Sequence, residues 1–259
     1  MGNHRKKIKK LYERVVKRFD KDEVHDFRVE VKKMRALLRM LFHNQKGKKY
    51  KVPKQVKGLY KCTGQIRNLQ LQEEKIIQFT FKDNAWPAEY IAFLRSKQQS
   101  WILKAGKYRG KKPINRTEES NIKKGMKRLD RKKVSSYVLN QHGLLQNLIL
   151  LEHFEDSDLH QLRKHLKDIL YNWKFIKLFF IPLLPHFLDK KRKINAFTIM
   201  LGEFQDTCME IKLLNGAFYP FSENNEKSVL FNIQKELELH KIFLEKRIIN
   251  IMAPSIVPV

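Results

Sequence analysis

Apolar residues recur at alternating spacings of three and four in two stretches of the chain, one from 22 to 42 and one that begins at Ser157. Such spacing places the apolar side chains on one face of an α-helix. The apolar positions are Val24, Phe27, Val31, Met34, Leu38 and Leu41 in the first stretch and, each displaced by 135 positions, Leu159, Leu162, Leu166, Ile169, Trp173 and Ile176 in the second. The pattern predicts two duplicated amphipathic helices.

A stripe of cations follows each apolar stripe at a constant displacement. Its members are His25, Arg28, Lys32, Arg35 and Arg39 in the first helix and His160, Arg163, Lys167 and Lys174 in the second, where Leu170 stands in the place of Arg35. At about 100° per residue, each cationic stripe lies roughly 110° around the helix from the apolar one. No carboxylate interrupts either stripe, and Asp26 and Glu30 fall on the far side of the first helix. We therefore expect the cations to line the rim of a core, as they would in a binding groove.

Each histidine follows a residue that is favoured as a helix N-cap. Asp22 stands three positions before His25, and Ser157 stands three positions before His160. If both residues cap their helices, each histidine occupies the third helical position. The unpaired N–H groups of that first turn favour anions.

A second pair of matching segments contains a glycine inside a predicted helix. The helix from 56 to 81 includes CTGQIRNLQLQ, and its counterpart reads MLGEFQDTCME. Gly64 matches Gly202, Arg67 matches Gln205, and Asn68 matches Asp206. Because glycine costs up to about 1 kcal/mol inside a helix, its recurrence predicts that another helix approaches closely at this point.

The remaining sequence predicts further helices and no strand. Apolar periodicity predicts them at 1–19, 87–107, from 117, through 144 to 154, and at 226–252, with a linker at 106–116 that is rich in glycine and solvated cations. No segment shows sustained alternation of apolar and polar residues, as a strand requires. We predict an all-α protein of two similar helical halves, 1–110 and 111–259.

The net charge of +27, from 54 Lys and Arg against 27 Asp and Glu, predicts a polyanionic partner. Nucleic acid, an acidic membrane surface and inorganic polyphosphate all qualify. Cys62 and Cys208 do not match between the halves and are read as reduced, buried thiols of a cytoplasmic protein. No signal peptide is visible, and the most apolar stretch, 178–188, is too short to span a bilayer and contains two prolines, so we expect no membrane insertion.

The candidate chemistry is binding rather than catalysis. Neither His25 nor His160 has a histidine four residues away, as a helical zinc site requires, so we predict no metal site. No clustered acidic motif faces the stripes, as a phosphate-cleaving enzyme would need for its metal ions. We therefore predict no catalytic residues, no cofactor and no enzymatic activity.

Two HxxRxxxK helices, each followed by a helix with the glycine motif, resemble the CHAD family, the conserved histidine α-helical domain. The matching segments are VHDFRVEVKKMRALLRML with TGQIRNLQL and LHQLRKHLKDILY with LGEFQD. The resemblance implies two four-helix bundles, related by a pseudo-twofold axis, that form one compact body with a central basic groove. It also implies non-catalytic binding of inorganic polyphosphate and association with polyphosphate granules. The implied ligand set is His25, Arg28, Lys32, Arg35, Arg39, Arg67, His160, Arg163, Lys167, Tyr171 and Lys174.

The chain departs from the family pattern at three positions. Leu170 replaces an arginine, and Asn68 and Gln205 replace the usual Asp and Arg of the pair that follows each glycine. The resemblance therefore implies that the second half binds the ligand more weakly than the first.

Nucleic acid is the alternative ligand. A protein that recognises single-stranded nucleic acid uses aromatic side chains that stack on the bases, placed among its cations. No position of either cationic stripe is aromatic, although Tyr171 is close by. Phosphate-rich polyanions without bases fit the stripes better, so nonspecific binding of RNA or DNA backbones is the less favoured hypothesis. The sequence leaves open the oligomeric state, the preferred polyphosphate length and whether the histidines contact ligand or cap helices.

Overall fold

The computed structural model describes residues 2–43, 51–83, 86–216 and 224–253, and this part of the chain is helical without any strand. The prediction of an all-α protein is confirmed. The helices are α1 Gly2–Arg18, α2 Lys21–Leu41, α3 Lys54–Asp83, α4 Ala88–Gly106, α5 Arg116–Lys127, α6 Arg131–Ile149, α7 Asp156–Phe180, α8 Lys191–Asn215 and α9 Asn224–Met252, with short 3-10 turns at Ile181–Leu183 and His186–Leu188.

The chain divides into two compact units that differ in their make-up from a simple split of the sequence. Unit 1 comprises Met1–Lys32, Val52–Asn115 and Thr207–His240, and unit 2 comprises Lys33–Lys51, Arg116–Asp206 and Lys241–Val259. Three of the boundaries fall inside α2, α8 and α9. The division into repeats at 110/111 and the pseudo-twofold pair of four-helix bundles stay predictions.

The predicted apolar stripes form the cores. All six apolar positions of α2 are buried, and so are those of α7 except Trp173, which is half-buried. In unit 1, Phe27 of α2 packs edge-to-face on Tyr12 of α1, with the ring centroids 6.2 Å apart. A fully buried side chain of this size contributes roughly 1.5–3 kcal/mol to stability, so the stripes fix which face of each helix remains for the cations.

The predicted N-caps were wrong, because each helix begins earlier. Asp20 precedes α2, and its Oδ1 accepts hydrogen bonds from the N–H of Asp22 at 2.9 Å and of Glu23 at 3.3 Å. At the start of α7, the carboxylate of Asp158 accepts the Glu155 N–H at 2.9 Å. His25 and His160 therefore both occupy the fifth helical position, two residues further into the helix than predicted but in the same register as each other.

The predicted linker at 106–116 is not a solvated tether. The hydroxyl of Tyr12 donates to the Tyr108 carbonyl at 3.1 Å, and Nε of Arg109 donates to the Val16 carbonyl at 3.1 Å. These bonds hold the segment against α1 within unit 1. The chain then enters unit 2 at Arg116.

In the described ranges, no helix has the length and apolarity needed to cross a membrane. Cys62 and Cys208 are both free thiols; Cys62 is buried as predicted, whereas Cys208 is only half-buried.

Candidate anion-binding site

Arg28 of α2 is held in a fixed position against α3 in unit 1. Its Nη1 donates to the Tyr60 carbonyl at 3.0 Å, and its Cζ lies 4.6 Å from the centroid of the Tyr60 ring. The guanidinium rests on Gly64, where a Cβ atom would lie only 2.8 Å from Nη1. The close approach predicted at this glycine is therefore made by an arginine side chain, whereas we had expected a helix backbone.

Arg163 of α7 repeats this arrangement against α8 in unit 2. A Cβ atom on Gly202 would lie 3.3 Å from both Nε and Nη2 of Arg163. The Nε atom is buried and has no hydrogen-bond partner within the described residues. The duplicated sequence motifs thus produce the same local structure twice: an arginine three residues after a histidine, seated on a glycine of the next motif.

The histidines lie beside the residues that follow each glycine by three positions. In unit 1, burial lowers the pKa of His25 below its usual value, and the charge of Arg67 lowers it further. Nη1 of Arg67 is buried without a partner among the described residues. In unit 2, Nδ1 of His160 lies 2.6 Å from Oε1 of Gln205. Unit 1 therefore has a second arginine, Arg67, at the position where unit 2 has the neutral side chain of Gln205.

The stripe lysines Lys32 and Lys167 add positive charge beside the seated arginines. We call His25, Arg28, Lys32 and Arg67 the cluster of unit 1, and His160, Arg163 and Lys167 the cluster of unit 2. Lys32 is half-buried and its charge contributes to lowering the pKa of His25. The pKa of Lys167 is lowered by burial and then by the neighbouring charge of Arg163. Crowded and partly desolvated cations disfavour their own charged forms, and a bound anion reverses that effect. Both clusters therefore have an electrostatic reason to bind an anion.

Arg39 is neutralised by a carboxylate from another helix. Its Nε and Nη2 donate to the two oxygens of Asp168, which is buried, in a bidentate pair within unit 2. The cationic stripe of α2 is free of carboxylates along its own helix, but at Arg39 the partner comes from α7. Arg39 is thus committed to a structural ion pair.

The pair lies in a polar layer of unit 2. Asn172 donates to the Ala36 carbonyl at 3.0 Å, and Nδ1 of His165 lies 3.0 Å from Oε1 of Gln141. Burial raises the pKa of Tyr137 nearby, and the charge of Asp168 raises it further. Hydrogen-bonded surroundings of this kind are what a buried ion pair needs to offset its desolvation.

The other predicted ligands are less distinctive. Arg35 and Tyr171 are half-buried and take part in interactions within the protein. Lys174 is exposed, with Nζ 4.7 Å from the centroid of its neighbour Phe175.

Glu30, which the helical projection put on the far side of α2, is buried, and its Oε2 lies 3.8 Å from Nζ of Lys7.

Two residues were missed by the sequence reasoning: Tyr60, which orients Arg28, and Asp168, which occupies Arg39. Tyr60 lies one helical turn before Gly64, and that spacing was a usable signal.

For metals, the part of the chain that the structure describes contains no group of three or more His, Cys, Asp or Glu side chains suited to hold an ion.

Comparison with known proteins adds one match. A family model described as CHAD domain matches residues 1–85, a range that holds α1, α2 and α3. No curated protein and no solved structure matches the chain. The match covers the first histidine helix and its glycine helix, whereas the likeness of the second half remains a prediction. Over residues 1–85, the chain is therefore similar to the CHAD domain family.

Proposed function

We propose that this protein binds inorganic polyphosphate, without cleaving it, through the basic faces of α2 and α7. The observation that carries the proposal is the duplicated arginine seat, Arg28 on Gly64 and Arg163 on Gly202. Each seat has a histidine and a lysine of the same helix beside it. The CHAD match over residues 1–85 supports phosphate-rich ligands for the first cluster.

Phosphate is the ligand that suits seated arginines. A guanidinium presents parallel N–H donors that match two phosphate oxygens, and such charge-assisted bonds are about twice as strong as neutral ones. Contact with Gly64 and Tyr60 already fixes the guanidinium of Arg28, so little side-chain freedom is lost when a ligand binds. Preorganised cations on a protein of net charge +27 favour a dense polyanion over a single phosphate.

We propose binding without cleavage because of the state of the carboxylates near the cations. Metal-assisted cleavage of a phosphoanhydride needs carboxylates that hold the ion next to the phosphates. Asp168, the carboxylate that directly follows the stripe residue Lys167 in unit 2, is already engaged by Arg39. We therefore propose a binding protein rather than an enzyme.

The proposal retains the ligand set that the sequence predicted, with graded roles. Arg28, Arg67 and Arg163 contribute most, since each presents a seated or partly unpaired guanidinium. Arg39 contributes least, because Asp168 neutralises it. Cytoplasmic location and association with polyphosphate granules belong to the same proposal.

A competition experiment tests the choice of ligand. Long-chain polyphosphate and duplex DNA or RNA are titrated against the protein at one physiological salt concentration, because backbone binding depends steeply on salt. We expect polyphosphate to bind more tightly, since the Tyr60 ring at the arginine seat of unit 1 is covered by the Arg28 guanidinium and is not open to stack on a base. Tighter binding of either nucleic acid would favour nonspecific nucleic-acid binding instead.

Replacing Gly64 by alanine tests the seat directly. The added Cβ would lie 2.8 Å from Nη1 of Arg28, so the guanidinium has to move away. We expect the polyphosphate affinity of Gly64→Ala to fall by about three- to tenfold, because a displaced Arg28 guanidinium loses part of its charge-assisted contact with phosphate. Isothermal titration calorimetry measures the change.

Gly143→Ala is the matched control. Gly143 also lies inside a helix, but no atom would approach its added Cβ within 4 Å. It should raise the free energy of unfolding by about 0.5–1 kcal/mol through helix propensity and leave the affinity unchanged. Equal affinities for the two alanine variants would contradict a role for the seat.

A further inference from the structure

The connection between α7 and α8 exposes apolar side chains that the polyphosphate proposal does not use. Leu178, in the last turns of α7, is 80% exposed, and Ile181, in the 3-10 turn that follows, is 44% exposed. Leu183 and Leu184 next to them are half-buried. Exposed apolar groups gathered in one short segment indicate an interaction surface, whereas single scattered ones do not.

This surface is held by a firm base. Phe180 and Leu188, which bracket the turns, are fully buried, and Phe187 packs edge-to-face on Phe197 of α8 with the centroids 5.5 Å apart. The Leu188 N–H donates to the Pro185 carbonyl at 2.8 Å. Leu178 and Ile181 are therefore the outward members of an anchored segment.

Cations flank the apolar segment on both sides in the sequence. Lys177, Lys190, Lys191 and Arg192 are exposed, and Cζ of Arg131 lies 5.4 Å from the centroid of the Phe179 ring. The single acidic residue between 174 and 193 is Asp189, whose Oδ1 lies 3.0 Å from Nζ of Lys193. The segment therefore combines an apolar tip with a strongly cationic border.

We propose that this segment docks the protein peripherally on an anionic lipid surface. Leu178 and Ile181 enter the boundary between headgroups and acyl chains, while the flanking cations meet lipid phosphates and carboxylates. Apolar and electrostatic contributions are both needed, because a few apolar side chains or a few cations alone hold a protein only weakly. No spanning helix is involved, in agreement with the described helices.

The composition of the border favours lipid over a protein partner. Protein interfaces are depleted in lysine, whereas lysine is favoured next to anionic headgroups, where its long side chain reaches the phosphates. Three of the four exposed cations named above are lysines. Association between copies of this chain is then one of the outcomes that the experiment distinguishes.

Vesicle co-sedimentation of the full chain tests the proposal. The probes are vesicles of phosphatidylcholine alone and of phosphatidylcholine mixed with phosphatidylserine. We expect the protein to partition onto the mixed vesicles and not onto the neutral ones. The double variant Leu178→Ser/Ile181→Ser should lower the partition coefficient by about tenfold or more, because two aliphatic side chains no longer leave water.

Leu139→Ser is the matched control, since Leu139 on α6 is 58% exposed and lies outside the segment. It should partition like the wild type. The double variant should keep the wild-type polyphosphate affinity and far-UV circular dichroism, which separates this proposal from the previous one.

Three results would overturn lipid docking. The first is wild-type partition by Leu178→Ser/Ile181→Ser. The second is equal partition onto neutral and anionic vesicles. The third is a change of molar mass in light scattering that these serines abolish while vesicle binding persists, because it would assign the surface to association between copies of this chain.

Discussion

Reversing both seated arginines, Arg28→Glu with Arg163→Glu, is expected to weaken polyphosphate binding by about two orders of magnitude or more. Each substitution removes charge-assisted hydrogen bonds of roughly 1.5–3 kcal/mol and adds a repelling carboxylate to a cationic cluster. Each single variant should lose less than the pair. Fluorescence competition with labelled long-chain polyphosphate measures the affinities.

The control must separate the site from the net charge. Lys17→Glu with Lys246→Glu changes the net charge by the same amount at two exposed positions outside both clusters. Because Arg28 also donates to the Tyr60 carbonyl, circular dichroism has to show that helicity is retained. If the control pair loses as much affinity as the arginine pair, binding depends on total charge and the proposed site is wrong.

The sequence predicted those parts of the site that depend on one helix at a time. The three-and-four spacing of Phe27 and Leu162 put both in the core, where they are fully buried. The same displacement placed His25 with His160 and Arg28 with Arg163, and each arginine then met the predicted glycine. Periodicity determines the helix face on which a residue lies, and in a duplicated sequence the matching residue lies on the same face of the second helix.

The predictions that were wrong concern contacts with a second helix or the choice among neighbouring cap residues. Gly64 indicated a close neighbour, but only coordinates identify that neighbour as the Arg28 guanidinium. The acidic run from Asp20 to Glu23 offered several cap candidates within one turn, and local preference does not rank them.

Asp168 is the clearest example of this limit. It directly follows Lys167, a stripe residue, and about 100° of rotation separates adjacent helical positions. That rotation lets Lys167 stay at the rim while Asp168 is buried against Arg39. Nothing in the spacing of α7 indicated that α2 would supply a cation there.

Replacing Asp168 by asparagine is expected to lower stability and raise affinity. The substitution leaves the Arg39 guanidinium without its carboxylate, and breaking a buried pair costs about 3–5 kcal/mol. The Arg39 side chain is 37% exposed, so water offsets part of that loss and we expect a decrease of about 2–3 kcal/mol in the free energy of unfolding. Urea denaturation measures it.

The same variant should bind polyphosphate severalfold more tightly, because the Arg39 charge is no longer balanced by a carboxylate and a negative charge that repels the ligand is removed. Arg39→Met provides the matched comparison: it should lower the affinity little in the wild-type background and remove the gain in the Asp168→Asn background. The double variant should also be less unstable than the two single effects added together, because the uncompensated charge is gone. A loss of affinity on Asp168→Asn would instead mean that the carboxylate orients Arg39 toward the ligand.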